Sequence, residues 1–491
     1  MSSTPITITE VQAVKQKTVS GVISFFFRTA LIQGIGLATA LILSAFLAPE
    51  DFGIYGFVTQ LIGLLVFFSD VGLAASLVQK PEEPTVIDYR TAFTTQQILS
   101  WLIVLLCGGL ILIPAVSTKI GSAGTWVLIS LALSFPLASL KTIPSIMLER
   151  KLDFNRLVLP QIFEQLVFNG ILIVLAWKGL GVLAYAYAII ARSITGVIAM
   201  TLIQSWPFGW AFDKAALKTL LSYGLKFQLN DFLARIKDQL FFLALGAFLP
   251  IRDFGYMQWA KNWSLYPYNL TVQNIMSVTF PTFARLQHDV LLLKKAIEKS
   301  IFFISLSIFP ILVAMAMLIG PLTVVVEKYH KWQPSVPSFI LFALSIGWAA
   351  ISTPLVNTLN AIGKINESLK LMMIWTVLTW VLTPPLVWWF GFTGVAISAF
   401  IISFTSILPV ISVKKIVPVA IWPQVKVPLI ASSGMALVGW WGQSLWSTNL
   451  SWLLLGGVIL ATCYVGMAFL VGGNQILTEI KSLKTAKAET K

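Results

Sequence analysis

The chain has 491 residues, of which 57% are hydrophobic and 11% are charged, and its formal net charge is +14. A soluble globular domain carries roughly 25% charged residues, so this composition excludes an ordinary water-soluble fold. Apolar stretches longer than the roughly 18 residues needed to cross a hydrocarbon core recur along the chain. The sequence therefore predicts an all-α, polytopic membrane protein.

The N-terminal tail, 1–18, is polar, and the apolar segment after it is longer than the 7–15-residue core of a cleaved signal peptide. We interpret that segment as the first of about fourteen transmembrane helices, each long enough to span with some tilt. The predicted helices are 19–48, 53–78, 90–116, 123–147, 156–177, 181–205, 219–249, 254–283, 290–319, 336–361, 368–389, 392–413, 428–446 and 451–471.

The distribution of basic residues predicts the orientation of these helices. The outer loops contain only Lys119, Lys178, Arg252, Lys328 and Lys331, whereas the inner segments hold most of the other Lys and Arg residues, Lys141 among them. The positive-inside rule then places both termini in the cytoplasm, with the protein in the cell (inner) membrane. The net charge reflects this bias and attraction to anionic lipid headgroups, so it is no argument for binding nucleic acid.

Three landmarks occur twice along the chain in the same order. FLAPEDFG (46–53) recurs as FLPIRDFG (248–255), and WKGLGVLAYA (177–186) recurs as WFGFTGVAIS (389–398). Pro144 and Pro354 form a weaker third pair, each in the fourth helix of its half. The repetition predicts two six-helix lobes followed by two additional helices.

Six helices per lobe is an even number, so the lobes form a parallel repeat about an axis along the membrane normal. Such symmetry is typical of alternating access, although a duplication retained only as a scaffold is the alternative. The predicted domains are the tail 1–18, the N-lobe 19–205, the inner linker 206–218, the C-lobe 219–415, two additional helices within 416–471, and a basic cytoplasmic tail, 472–491.

Charged residues at membrane depth are costly and usually face a cavity or a partner. On the predicted seventh helix, Lys226, Asn230 and Lys237 fall within about 40° of one another at 100° per residue. The repeat places Arg28 at the position of Asn230, and Lys261 lies on the eighth helix. These residues predict a cationic cavity that binds a phosphate or pyrophosphate headgroup. The alternative for Arg28 and Lys226 is anchoring at the inner interface.

A second set of ionisable residues is interpreted as coupling groups or counter-ions. Three of them lie at i, i+4 and i+7 on the seventh helix, a spacing typical of a self-neutralised cluster. The others are single residues on the second, fifth and sixth helices. This set is Asp70, Glu164, Arg192, Asp231, Arg235 and Asp238.

Several features of enzymes are missing from the sequence. There is no GxxxxGK[ST] motif for nucleotide binding. The two histidines, His288 and His330, lie outside the predicted helices, and the loops are too short for an extramembrane catalytic domain. We therefore expect no enzyme activity, no cofactor and no metal.

Three segments carry a resemblance to a known family: LAPEDFGIYGF (47–57), SDVGLAASLVQ (69–79) and PSIMLERKLDFNRL (144–157). They resemble the oligosaccharide flippases, the polysaccharide transporter family of the multidrug/oligosaccharidyl-lipid/polysaccharide superfamily that exports lipopolysaccharide, teichuronic acid or exopolysaccharide precursors. The resemblance implies two six-helix lobes in a V, with two added helices. It also implies that Arg150, in an inner loop, serves structure or gating.

The function implied by the resemblance is translocation of a polyprenyl-pyrophosphate-linked oligosaccharide from the inner to the outer leaflet. The implied partners are this glycolipid, the lipid bilayer and, as a further candidate, the polysaccharide polymerase machinery. Two alternatives stay open: a drug/cation antiporter of the same superfamily, and a non-transporting scaffold of a polysaccharide-assembly complex. The antiporter would favour a cavity rich in acids, which disagrees with the surplus of basic residues.

Overall fold

A computed structural model of the chain describes residues 32–489, with the side chains of 223–238 and 480–489 excluded. Every element it describes is helical, so the prediction of an all-α protein is confirmed. In the first part of the chain the helices are α1 (Ile32–Phe46), α2 (Pro49–Asp70), α3 (Leu73–Gln79), α4 (Val86–Ile111), α5 (Pro114–Arg150), α6 (Phe154–Trp177), α7 (Leu183–Ile203) and α8 (Lys214–Phe248).

The second part continues with nine further α-helices and three short segments of π or 3-10 helix. The α-helices are α9 (Ile251–Tyr268), α10 (Asn274–Arg285), α11 (Val290–Val325), α12 (Val336–Ala361), α13 (Ile365–Phe390), α14 (Thr393–Ser403), α15 (Ile407–Lys414), α16 (Ile421–Trp446) and α17 (Leu450–Glu489). The short segments are Asn269–Gln273 (π), Glu327–Ser335 (3-10) and Phe404–Ser406 (3-10).

The described helices have the character of a multi-pass membrane protein. Ten of them, counting continuous helical segments, are long and apolar enough to cross a membrane. Large apolar side chains cover the outside, and Trp388 and Leu470 are each 87% exposed, which suits contact with lipid rather than water. Helix occupies the described part of each of the fourteen predicted ranges, but fourteen spans stay a prediction.

The chain divides into two compact units, one ending at Gly255 and the other beginning at Tyr256. Within the first unit, α5 packs against α4 and α7, and α6 packs against α7. Helix α8 also belongs to this unit, where it packs against α2 and α3, and the buried Ser76 hydroxyl donates to the Leu220 carbonyl at 2.8 Å. The lobe boundary at 206–218 stays a prediction.

Within the second unit, α11 packs against α12 and α16, and α16 packs against α17. A buried cluster that includes Phe302, Ala431 and Leu460 joins these helices. The Tyr464 hydroxyl donates to the Leu306 carbonyl at 2.8 Å. The two additional helices at the C-terminal end are therefore packed firmly on α11.

The second predicted span is broken where α2 meets α3. Val71 and Gly72 have φ angles of 50° and 78°, in the left-handed region that interrupts a right-handed helix. The Asp70 carboxylate accepts a hydrogen bond from the Ala74 amide at 3.2 Å and another from the Gln96 side chain. Asp70 thus satisfies a backbone donor at the start of α3, as a helix cap does.

Candidate functional site

Three charged side chains meet inside the first unit, one from each of α5, α6 and α7. The Lys141 ammonium donates to Oε1 of Glu164, and Nε of Arg192 lies 3.6 Å from Oε2 of the same carboxylate. The Glu164 side chain is 6% exposed, whereas those of Lys141 and Arg192 are 26% and 46% exposed. Two cations therefore share one buried anion, and one of the cations reaches the surface of the unit.

The packing of α6 against α7 makes room for this arrangement. Gly196 lies one turn after Arg192 on α7, and a Cβ at that position would overlap the Glu164 carboxylate. On α6, the Phe168 ring lies one turn after Glu164, and the Arg192 guanidinium lies 5.6 Å from its centroid. A glycine and an aromatic ring thus position the acid and the arginine opposite each other.

The cluster lies deep in the predicted membrane. Glu164 and Arg192 are near the middle of α6 and α7, and Lys141 lies nine residues before the end of α5, about 14 Å along the helix axis. Burying an ionised group at this depth requires compensation from an opposite charge. Here Glu164 compensates one positive charge, so the three side chains keep a net charge of +1 and favour an anion as their ligand.

The structure brings together two of the residues predicted from the sequence, Glu164 and Arg192, and adds Lys141. Lys141 was counted as an inner-side charge, although it lies within the predicted helix 123–147. A lysine inside a predicted transmembrane helix needs a partner for its charge, so the position of Lys141 is the sequence signal for this site. Asp70 lies apart from the cluster and accepts from the Ala74 amide in the first turn of α3, as described above.

Lys261 lies on α9 in the second unit, where it is half-buried. Near it, the Trp259 ring stacks on Trp332 at 4.8 Å between centroids, and Trp259 is completely buried. This tryptophan therefore belongs to the packed interior of the second unit. Tyr268 donates to or accepts from the Thr353 hydroxyl at 2.9 Å.

The remaining predicted site residues lie outside the part of the chain whose side chains are described. For these, the helix-face argument from the sequence stands as a prediction. They are Arg28, Lys226, Asn230, Asp231, Arg235, Lys237 and Asp238.

Arg150, predicted in an inner loop, is the last residue of α5 and binds backbone carbonyls. Its Nη1 donates to the carbonyls of Leu77, Val78 and Lys80 at 2.8–3.1 Å, and its Nη2 donates to the Glu82 carbonyl at 3.1 Å. The guanidinium thus satisfies carbonyls at the C-terminus of α3 and in the loop after it. Among the described residues, no group of three or more His, Cys, Asp or Glu side chains is placed to hold a metal ion.

Comparison with known proteins identifies the family. The profile of the family described as polysaccharide biosynthesis protein matches residues 42–337. The chain belongs to this family. The predicted membership among polysaccharide transporters is thereby confirmed, and the segments quoted above from 47–79 and 144–157 lie within the match.

The chain has low sequence identity to two curated relatives, over most of the length of each. The chain is 20% identical to the succinoglycan biosynthesis transport protein ExoT of Rhizobium meliloti (strain 1021), covering 70% of this chain and 73% of that protein. It is 21% identical to the lipopolysaccharide biosynthesis protein WzxC of Escherichia coli (strain K12), covering 74% of each. These relatives are named as proteins of polysaccharide biosynthesis or its transport.

The fold of the family member matches a solved structure. The lipid II flippase MurJ, in an inward closed conformation, superposes with a TM-score of 0.72 at 14% identity, covering 93% of this chain and all of that one. At this identity the similarity establishes the fold alone. The predicted flippase-like, all-helical architecture is therefore confirmed.

Proposed function

We propose that this chain translocates a polyprenyl-pyrophosphate-linked oligosaccharide from the inner to the outer leaflet for assembly of a cell-surface polysaccharide. Family membership and the MurJ-like fold support a transporter of this class. The observation that carries the choice of ligand is the +1 charge of the cluster of Lys141, Glu164 and Arg192, which lies near the middle of α6 and α7. A diphosphate is the most anionic part of such a glycolipid and needs cations in a low-dielectric surround.

In the absence of substrate, Glu164 neutralises part of the charge of Lys141 and Arg192. A pyrophosphate that reaches the half-exposed Arg192 offers a second anion, with more oxygens and the geometry for forked hydrogen bonds. The two cations then pair with the headgroup while Glu164 stays beside them as a fixed acid. Because no covalent bond changes in this exchange, the chain acts as a transporter and not as an enzyme.

The remaining parts of the proposal follow the topology. The protein lies in the cell inner membrane with both termini in the cytoplasm, as the distribution of basic residues predicts. The two lobes alternate access to the headgroup, and the polyprenyl chain stays in the lipid. The polysaccharide polymerase machinery is the natural recipient of the outer-leaflet product.

The test is a flipping assay with protein reconstituted into liposomes that contain a fluorescent polyprenyl-pyrophosphate-linked oligosaccharide. Lys141→Ala and Arg192→Ala should lower the rate at which the label reaches the opposite leaflet, while Lys141→Arg should retain most of the wild-type rate. Lys370→Ala, which removes half of an exposed pair with Glu367 on α13, is the matched control and should not change the rate.

Glu164→Gln separates anion binding from a purely structural role. If the cations bind the headgroup, this variant keeps both of them and should bind pyrophosphate at least as tightly as the parent protein. If the cluster only holds α5, α6 and α7 together, Glu164→Gln breaks both ion pairs and should lower flipping at least as much as Lys141→Ala does. Normal flipping by Lys141→Ala and Arg192→Ala would remove the cluster from the substrate path. Absence of flipping by the folded parent protein would favour a scaffold, and uptake of cationic dyes would favour the antiporter.

A further inference from the structure

A cavity of about 380 Å³ lies in the first unit, where α3 and α5 end. Residues within 78–83 and 147–152 line it, together with Tyr89 from the first turn of α4. We call it the α3–α5 cavity. Sites for small molecules measure roughly 300–1,000 Å³, so this cavity has the size of a site for a small ligand.

Hydrogen bonds within the protein fix the walls of the α3–α5 cavity. Arg150 binds four carbonyls of α3 and the loop after it, as described above, and so holds the end of α5 against that loop. The Lys80 ammonium donates to the Asp88 carboxylate at 2.7 Å, and the Thr85 amide donates to the same carboxylate at 2.8 Å. The cavity is therefore formed in advance, and a ligand does not have to order the loop.

Two polar side chains of the cavity have no partner within the described part of the chain. Tyr89 is only 7% exposed, yet its hydroxyl makes no hydrogen bond with any described residue. The half-buried Glu149 carboxylate, in the last turn of α5, makes neither a hydrogen bond nor an ion pair with them. Buried polar groups normally have hydrogen-bond partners, so a ligand that supplies the missing partners is expected here.

The backbone at the rim of the cavity places an apolar side chain in it at a conformational cost. Leu152 lines the cavity and has a φ of 55°, in the left-handed region that disfavours every residue with a Cβ. The corresponding turn of the second half, after the helix that contains Pro354, has Gly363 at a φ of 76°. Glycine adopts this conformation without strain. The first half thus carries a strained leucine, which adds an apolar wall to the cavity.

The charges around the cavity favour a neutral ligand that is rich in hydroxyl groups. Apart from Lys80, which is paired, the lining has two basic and two acidic side chains: Arg150, Lys151, Glu83 and Glu149. A simple anion would meet two carboxylates, and a simple cation would meet two basic groups. A hydroxyl group both donates and accepts, so it can pair with any of these groups. A sugar ring presents several hydroxyls, and its C–H face suits the apolar wall.

We propose that the α3–α5 cavity binds a sugar of the glycan headgroup on the cytoplasmic side, before translocation. This inference rests on the proposed function and on the predicted orientation, which places the ends of α3 and α5 on the inner side. Glu149 lies eight residues after Lys141 on α5, about 12 Å along the helix axis. The cavity is therefore a separate subsite from the cluster of Lys141, Glu164 and Arg192, which binds the pyrophosphate.

A sugar subsite supplies a selectivity that the cluster cannot supply. Every polyprenyl-pyrophosphate-linked oligosaccharide carries the same pyrophosphate, so the cations of the cluster do not distinguish one glycan from another. Fixed hydrogen-bonding groups discriminate sharply, because a ligand without the matching hydroxyl leaves a buried group unpaired. The cavity therefore selects the glycan, and the cluster holds the headgroup.

Binding of a lipid-free oligosaccharide tests the cavity separately from the pyrophosphate site. The probe is the oligosaccharide released by mild acid from the lipid-linked glycan of the source cells, so it carries neither phosphate nor lipid. Saturation-transfer difference NMR measures its affinity for the full-length protein in detergent. Tyr89→Phe, which keeps the ring, should weaken binding about three- to tenfold, and Glu149→Gln by about tenfold or more. Glu367→Gln, in the exposed pair on α13, is the control and should leave the affinity unchanged.

Leu152→Gly distinguishes a ligand wall from a structural role. Glycine removes the strain at this position, so the midpoint of unfolding in sodium dodecyl sulfate should not fall. The affinity for the oligosaccharide should nevertheless drop about threefold or more, because the sugar loses its apolar contact. Unchanged affinity in Tyr89→Phe, Glu149→Gln and Leu152→Gly would overturn the proposal. Binding of glycerophosphoethanolamine in place of the oligosaccharide would also overturn it and would identify a site for a lipid headgroup.

The outcomes distinguish this inference from the proposed function. If the parent protein binds the oligosaccharide through these residues but flips no glycolipid in liposomes, the proposed function is wrong and the sugar subsite stands. If flipping is normal and the oligosaccharide does not bind, the proposed function stands and the subsite is wrong. Inorganic pyrophosphate should leave the bound oligosaccharide in place, and competition between the two would contradict separate sites.

Discussion

The ion pair between Lys141 and Glu164 should contribute more to stability than an exposed pair does. Breaking a buried pair by removing one partner costs about 3–5 kcal/mol, because the other charge is left buried. Here Glu164 is 6% exposed but Lys141 keeps about a quarter of its surface, and Arg192 supplies a second cation. We therefore expect a coupling free energy of about 2 kcal/mol between Lys141 and Glu164, below the fully buried range.

A double-mutant cycle measures this coupling. Lys141→Met, Glu164→Gln and the double variant are unfolded by titration with sodium dodecyl sulfate, followed by tryptophan fluorescence. Glu164→Gln should be the more damaging single change because it leaves Lys141 and Arg192 without the anion that they share. The same cycle on the exposed pair of Glu367 and Lys370 is the control and should show no resolvable coupling. A coupling below about 0.5 kcal/mol, the scale of surface pairs, would refute this reasoning.

Three further predictions concern single residues. Gly196→Ala should destabilise the protein by about 1–3 kcal/mol in the same titration, because the added methyl group overlaps Glu164, while Gly170→Ala should be neutral or stabilising. Arg150→Lys should lower stability by about 2 kcal/mol, since one ammonium cannot reach the four carbonyls that the guanidinium fork binds; unchanged unfolding would contradict a structural role. Lys237→Ala should cause lipid-linked oligosaccharide to accumulate on the inner leaflet at normal protein level, and an unaltered glycolipid pool would remove this lysine from the substrate path.

The helices were predictable because lipid imposes a simple rule on the sequence. A segment crossing the hydrocarbon core must satisfy its backbone internally and present apolar side chains, and both requirements are visible as long apolar runs. Breaks inside a span are harder to predict. The interruption lies at two left-handed residues, Val71 and Gly72, and the Asp70 carboxylate accepts a hydrogen bond from the Ala74 amide just after it. The role of Asp70 as a coupling group or counter-ion stays a prediction.

The site was partly predictable for a related reason. The high cost of burying a charge identified Glu164 and Arg192 as residues in need of partners. The cost of burying a charge did not identify the partner on α5. Which residue of α5 faces α6 depends on how the two helices pack, and the sequence of either helix alone does not determine this. Lys141 was assigned to the inner side, since a count of positive charges per loop ignores how far into a helix each charge lies.

The repeated glycines restrict how the two copies of the turn can change over evolutionary time. A side chain at Gly53 would overlap the backbone of the second copy, and a side chain at Gly255 would overlap the backbone of the first. A substitution in one copy is therefore tolerated only if the other copy can accommodate it. Surface positions such as Glu50 and Arg252, which form an ion pair between the two copies, are free to diverge provided that their charges remain complementary. A duplicated gene whose halves accumulate independent substitutions would therefore keep DFG in both places while the surrounding helices lose their similarity.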